Sequence, residues 1–256
     1  MARGRAKPLA KMYGSIAAIL LGAAAMTGAL PAAADQGVAN TRALTAQANA
    51  LITRSNAAIA AKEWQAAADA LSRLITLDPR WVYFQEQGNA LLSLGQYEDA
   101  LTAYDRGLAG VSADPNTPID GKNLAMGQML INKGNAYLKM KRSDNALGAY
   151  TQAAKLSTDP GIAYFNLCVT EYNLGKMDIA VTSCQAAIKA DPAKADAYFI
   201  MGSALYGNGT LDKSNSYVVP AGTVEALQTY LRLAPNGGHI TDVRAMLDAL
   251  QPPAKP

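Results

Sequence analysis

Apolar side chains return at helical spacing along this chain. Leu91, Leu92 and Leu94 precede a short polar stretch, and Leu101, Tyr104 and Leu108 follow it, the pattern of two amphipathic helices joined by a turn. The turn recurs. Ala61-Lys62-Glu63-Trp64-Gln65-Ala66-Ala67, Leu94-Gly95-Gln96-Tyr97-Glu98-Asp99-Ala100, Met140-Lys141-Arg142-Ser143-Asp144-Asn145-Ala146 and Leu174-Gly175-Lys176-Met177-Asp178-Ile179-Ala180 carry one phrase. Each unit is therefore expected to be a helical hairpin. A single hairpin cannot bury its apolar face alone, so repetition predicts a stacked solenoid that works by binding through a curved surface. Asp78-Pro79, Asp159-Pro160 and Asp191-Pro192 close units, because proline cannot continue a helix and pushes the preceding residue out of helical geometry.

These residues resemble the tetratricopeptide repeat family, whose pattern is Trp-x2-Leu-Gly-x2-Tyr in the first helix, Ala-x3-Phe in the second and a closing Pro. Phe84, Gly88 and Leu91 with Ala100 and Tyr104 match in one unit, and Leu130, Gly134 and Tyr137 with Ala146 and Tyr150 in the next. Tyr164, Leu167 and Cys168 with Ala180, Cys184 and Pro192 follow, and Tyr198, Met201, Gly202 and Leu205 begin another. A degenerate first unit shows in Leu51, Ser55 and Ala58, then Ala67, Leu71 and Pro79. The resemblance implies an all-α, right-handed superhelical solenoid of about five units, near 48–80, 81–110, 127–160, 161–194 and 195–236. Polar stretches near 111–126 and 207–222 read as inserts, 241–250 as a capping helix and 251–256 as a flexible tail.

The N-terminus changes the picture of charge and compartment. Arg3, Arg5, Lys7 and Lys11 precede an apolar run from Ile16 to Leu30, then Pro31-Ala32-Ala33-Ala34. This is the three-part pattern of a secretory signal peptide spanning 1–34. An uncleaved anchor is the rival, but the run is short for a bilayer span and consists mostly of Ala and Gly. The leader holds four basic and no acidic residues, so the remainder carries 19 basic and 20 acidic side chains instead of a net +3. A nearly neutral chain without a Lys/Arg cluster offers little counterion-release energy, which argues against a nucleic-acid partner. The expected location is the periplasm or the medium, with no membrane span after cleavage.

Candidate chemistry is sparse. His239, the single histidine, sits in a loop, no Gly-rich phosphate loop follows a strand, and no Cys/His/carboxylate cluster has zinc-like spacing. No catalytic residue, metal site or cofactor is expected. In the family pattern Cys168 and Cys184, the only cysteines, occupy facing positions on the two helices of one hairpin. Export would permit a disulfide; two buried free thiols filling small core sites are the alternative.

The family resemblance also implies a concave groove lined by first-helix side chains. Carried over, these are Gln85, Asn89 and Leu92; Gln128, Ile131 and Asn135; Phe165, Val169 and Tyr172; and Phe199, Ser203 and Tyr206, with Asn132 and Asn166 nearby. The amides can donate to and accept from an extended peptide backbone, and Phe165, Tyr172, Phe199 and Tyr206 can seat apolar side chains. Some of these aromatics could instead pack between units or under the 207–222 insert. Ile131, Asp196 and Ile200 stand where a carboxylate-clamping member would need basic residues. The function expected is a non-enzymatic adaptor or assembly factor of the cell envelope that binds a protein or peptide. The alternatives are a small-molecule or glycan-binding module and a self-associating, homo-oligomeric component.

Overall fold

A computed structural model describes residues 32–157, 159–213 and 216–250, with side chains from Val38 onward. The expected leader lies outside the described residues except for its last three, which open the first helix; the expected tail lies outside them altogether. Eleven helices follow one another among the described residues: α1 (Ala32–Ala61), α2 (Trp64–Leu77), α3 (Trp81–Leu94), α4 (Tyr97–Ala113), α5 (Ile119–Lys139), α6 (Ser143–Leu156), α7 (Gly161–Asn173), α8 (Met177–Ala190), α9 (Ala195–Gly207), α10 (Thr223–Leu233) and α11 (Ile240–Ala249). They pair into five hairpins, α1/α2 through α9/α10, and each second helix from α2 to α8 also packs against the first helix of the next hairpin. The fold is an all-α solenoid.

The recurring phrase becomes a recurring turn. Lys62, Gly95, Lys141 and Gly175 occupy the same place in the four phrases, and all four adopt positive φ, between 59° and 79°. The next residue's N–H then reaches back five residues: Glu63 to Ala58 O, Gln96 to Leu91 O, Arg142 to Tyr137 O and Lys176 to Glu171 O, at 2.8 to 2.9 Å. This closes the first helix and satisfies one of its orphan carbonyls. The alanine that ends each phrase, Ala67, Ala100, Ala146 or Ala180, is completely buried. A methyl group at that position lets the two helices approach closely.

The core is a string of small clusters instead of one round centre. One joins Ala48, Leu51, Leu71 and Leu74 between α1 and α2, another joins Tyr104, Val111, Ala125 and Met129 across α4 and α5, and a third joins Leu227, Tyr230 and Val243 under α11. Such nearest-neighbour packing is what a repeat stack requires.

The two polar stretches take different forms. Residues 111–113 complete α4 and 119–126 add two turns to the front of α5, leaving 114–118 as the connection. Asp114 organises it by accepting from Trp81 Nε1 at 3.1 Å, Thr117 Oγ1 at 2.6 Å and Asn116 N at 2.9 Å. The 207–222 stretch instead carries a short antiparallel pair, β1 (Thr210–Leu211) with β2 (Tyr217–Val218), inside the α9/α10 hairpin. No helix among the described residues is long and apolar enough to cross a membrane.

Candidate binding groove

The groove positions fall on the first helices of successive hairpins, α3, α5, α7 and α9. Between α3 and α5 the amides interlock. Gln85 Nε2 donates to Gln128 Oε1 at 3.2 Å, and Asn132 Nδ2 donates to Asn89 Oδ1 at 2.9 Å. Second-helix tyrosines supply further donors: Tyr104 OH reaches Asn89 Oδ1 at 2.9 Å, and Tyr150 OH reaches Asn135 Oδ1 at 2.7 Å. The Asn89 carboxamide oxygen therefore accepts twice. An amide that composition alone leaves free to read a peptide is thus a fixed strut between hairpins, and its orientation is set before any partner arrives.

Glu86 joins this network. Burial pushes its carboxyl above the usual range, partly offset by a hydrogen bond with Asn89. The Tyr104 phenol is held far above its ordinary value, chiefly by burial, despite its hydrogen bond to Asn132 and with Glu86 adding to the rise. Burial alone pushes Tyr150 up to about 12. Both phenols are therefore neutral donors throughout the physiological range.

The aromatic positions divide. Phe165 and Tyr172 on α7 are half-buried, as are Asn166 and Val169 between them, and the Lys194 ammonium lies 4.6 Å from the Phe165 ring centroid. Phe199 and Tyr206 are half-buried too. The Phe199 ring stacks on His239 with centroids 3.8 Å apart and planes at 6°, and it packs at 5.5 Å against Tyr230. The Tyr206 ring packs at 5.2 Å against Tyr217 of the strand pair, whose hydroxyl donates to Tyr206 O. All four aromatics placed in the groove from the sequence thus keep part of their surface open, and Phe199 and Tyr206 also pack against the C-terminal elements.

Ser203, also placed in the groove from the sequence, is buried with its hydroxyl unpartnered, and Glu171 on α7 buries one carboxylate oxygen in the same condition. Glu86 and Lys194 do not stand out in the sequence, although Glu86 carries a usable signal, a charged residue one place after a groove position; His239 does stand out, but as a loop residue and not as a ring stacked on Phe199. Cys168 and Cys184 are bonded to each other, with Cα atoms 4.9 Å apart and both side chains fully buried. Among the described residues no three His, Cys, Asp or Glu side chains are grouped to hold a metal ion.

Comparison with known proteins agrees with this architecture. A MamA structure from Desulfovibrio magneticus is 17% identical, with a TM-score of 0.54 over 80% of this chain and 98% of that one. A tetratricopeptide repeat protein from Parabacteroides merdae is 14% identical, with a TM-score of 0.59 over 79% of this chain and 74% of that one. YrrB, described as a tetratricopeptide repeat protein with an unusual peptide-binding site, is 20% identical, with a TM-score of 0.55 over 76% of this chain and 89% of that one. A comparison with curated proteins returns no match. Residues 127–160 and 169–214 match family models described as tetratricopeptide repeat. Those two segments are similar to tetratricopeptide repeats, and the described helices share the solenoid fold of the solved structures above.

Proposed function

We propose that this chain is a non-enzymatic adaptor or assembly factor that binds an extended polypeptide along its concave, first-helix face. The observation that carries the reading is the pairing of two surfaces on that face. Struts fixed by Gln85, Asn89, Gln128 and Asn132 stand at one end, and half-buried Phe165 and Tyr172 stand at the other. A pre-set polar array limits the entropy lost when a chain docks, while the two rings offer an apolar anchor site of the kind that dominates binding energy. The fold is shared with YrrB, which is described as having a peptide-binding site, and this supports a polypeptide ligand. The leader-like residues 1–34 support a place in the cell envelope, periplasmic or secreted.

Selection from a displayed library of random linear peptides tests the proposal. Wild-type protein should enrich sequences bearing an aliphatic or aromatic residue at a constant position, and Phe165→Ala/Tyr172→Ala should enrich none of them. Equal enrichment by the folded double variant would overturn the groove assignment.

Self-association has one observation in its favour: Val38 and Leu44 are exposed on the N-terminal half of α1. Sedimentation of wild type against Val38→Ser/Leu44→Ser decides whether these residues hold copies together.

A further inference from the structure

The residue that follows each helix-packing glycine is matched to the side chain lying over that glycine. Tyr104 covers Gly88 and Tyr150 covers Gly134, and each phenol donates to the next residue along, Asn89 or Asn135. In the α7/α8 hairpin Cys168 holds the glycine's place, bonded to Cys184, and the next residue is the apolar Val169. The α9/α10 hairpin breaks the match. Leu227 covers Gly202, yet the next residue is Ser203, a polar group with no phenol to meet it.

Ser203 is 8% exposed, and its hydroxyl has no hydrogen-bond partner among the described residues. Such a hydroxyl lowers stability relative to an apolar side chain of similar shape. The ordinary escape for a helical serine or threonine is the carbonyl four residues back, which Ser72, Ser93, Thr170 and Thr182 use. Ser203 does not use it. On α9 it shares the groove face with Phe199, four residues before it, and Tyr206, three residues after, both half-buried. Gln85 meets Gln128 and Asn89 meets Asn132, so the partner on the later helix stands three positions earlier relative to its own glycine. The same register, carried to the packed pair α7 and α9, sets half-buried Tyr172 beside Ser203.

The missing partner defines the ligand. An aliphatic side chain seated among these rings would leave the hydroxyl unpaired, and a charged one would lose its hydration against a single neutral group. A tyrosine meets both demands: its ring packs on Tyr172 and Tyr206, and its phenol exchanges a hydrogen bond with Ser203, as Tyr104 and Tyr150 do with Asn89 and Asn135 inside the chain. We propose that Ser203 is a specificity-determining residue of the groove and selects a tyrosine side chain of the bound polypeptide. The inference rests on the groove reading, which brings the ligand past α7 and α9.

Selection and calorimetry on the full chain test it. Ser203→Ala removes the unpaired hydroxyl without adding volume and should melt at or above the wild-type temperature. Peptides enriched by wild type from the displayed random library should carry a tyrosine at a constant position. With one such peptide as probe, changing its tyrosine to phenylalanine should weaken binding to wild type about fivefold or more and leave binding to Ser203→Ala unchanged. Enrichment of peptides without a constant tyrosine, no loss on the peptide change in wild type, or an equal loss in both proteins would overturn the inference and leave the groove standing. Enrichment of no peptide at all would overturn the groove and the tyrosine site together.

Discussion

Tyr104 lies across Gly88 and donates its hydroxyl to Asn89 at 2.9 Å, so one side chain both packs the hairpin and sets a groove amide. Tyr150, Gly134 and Asn135 repeat the arrangement one unit later. A Cβ at Gly88 would come within 2.5 Å of the Tyr104 ring, and one at Gly134 within 2.3 Å of the Tyr150 ring. Gly88→Ala and Gly134→Ala should each cost about 1–3 kcal/mol through overpacking. Tyr104→Phe, which keeps the ring and loses the hydrogen bond, should cost about 1 kcal/mol. Urea denaturation of the three variants checks the order.

Cys168 and Cys184 stand at the same sixteen-residue spacing as Gly88 and Tyr104, and as Gly134 and Tyr150. The disulfide thus fills the slot that a ring over a glycine fills in the two preceding hairpins. Its removal should destabilise the chain by about 3 kcal/mol in the chain-entropy account. Thermal melts with and without reductant should differ for wild type and coincide for Cys168→Gly/Cys184→Tyr, which installs the neighbours' packing pair in its place.

Lys62 and Lys141 hold the left-handed backbone that Gly95 and Gly175 hold in the equivalent turns. A side chain in that conformation costs on the order of 1 kcal/mol. Because glycine also loses more entropy on folding, Lys141→Gly should raise stability by less, about 0.5 kcal/mol. The gain should appear as a higher urea midpoint with an unchanged slope.

Glu86 and Asp114 give opposite pH dependence. Burial raises the Glu86 carboxyl, so the native state holds this proton to higher pH than the unfolded chain, and stability falls as pH rises through that window. Hydrogen bonds from Thr117 first, then Asn116 and Trp81, lower Asp114, so its contribution is present above the ordinary carboxylate range and is lost as pH falls. Glu86→Gln should therefore gain stability at about pH 7 and little at about pH 4, whereas Asp114→Asn should lose most at about pH 7. Unfolding curves at the two pH values decide both.

The repeating units were legible because their signals are local. The turn phrase, the alanine at its end and the apolar spacing on either side are all confined to one hairpin, and the structure turns each into a positive-φ turn and a buried methyl. The front of α5 was hidden because Gly121, Lys122 and Asn123 look like loop composition; what holds them helical is the connection that Asp114 organises on one side and burial of Ala125 and Met129 against α4 on the other. The groove was only partly legible. Phe199 and Tyr206 carry the groove register, but His239 and Tyr217, whose rings pack on them, come from later segments that no periodicity links to α9. The hydroxyls on Asn89 and Asn135 cross between the helices of a hairpin and leave no mark in the spacing of either one.

The most direct test of the central claim is the dissociation constant of a selected peptide, measured by calorimetry on three folded proteins: wild type, Phe165→Ala/Tyr172→Ala and Gly148→Leu. Binding on the first-helix face predicts an affinity lower by about tenfold or more for the double variant and unchanged for Gly148→Leu, whose substitution lies at an exposed position of the second helix α6. Equal affinity for wild type and the double variant, with loss in Gly148→Leu, would contradict the account and place the polypeptide on the second-helix face.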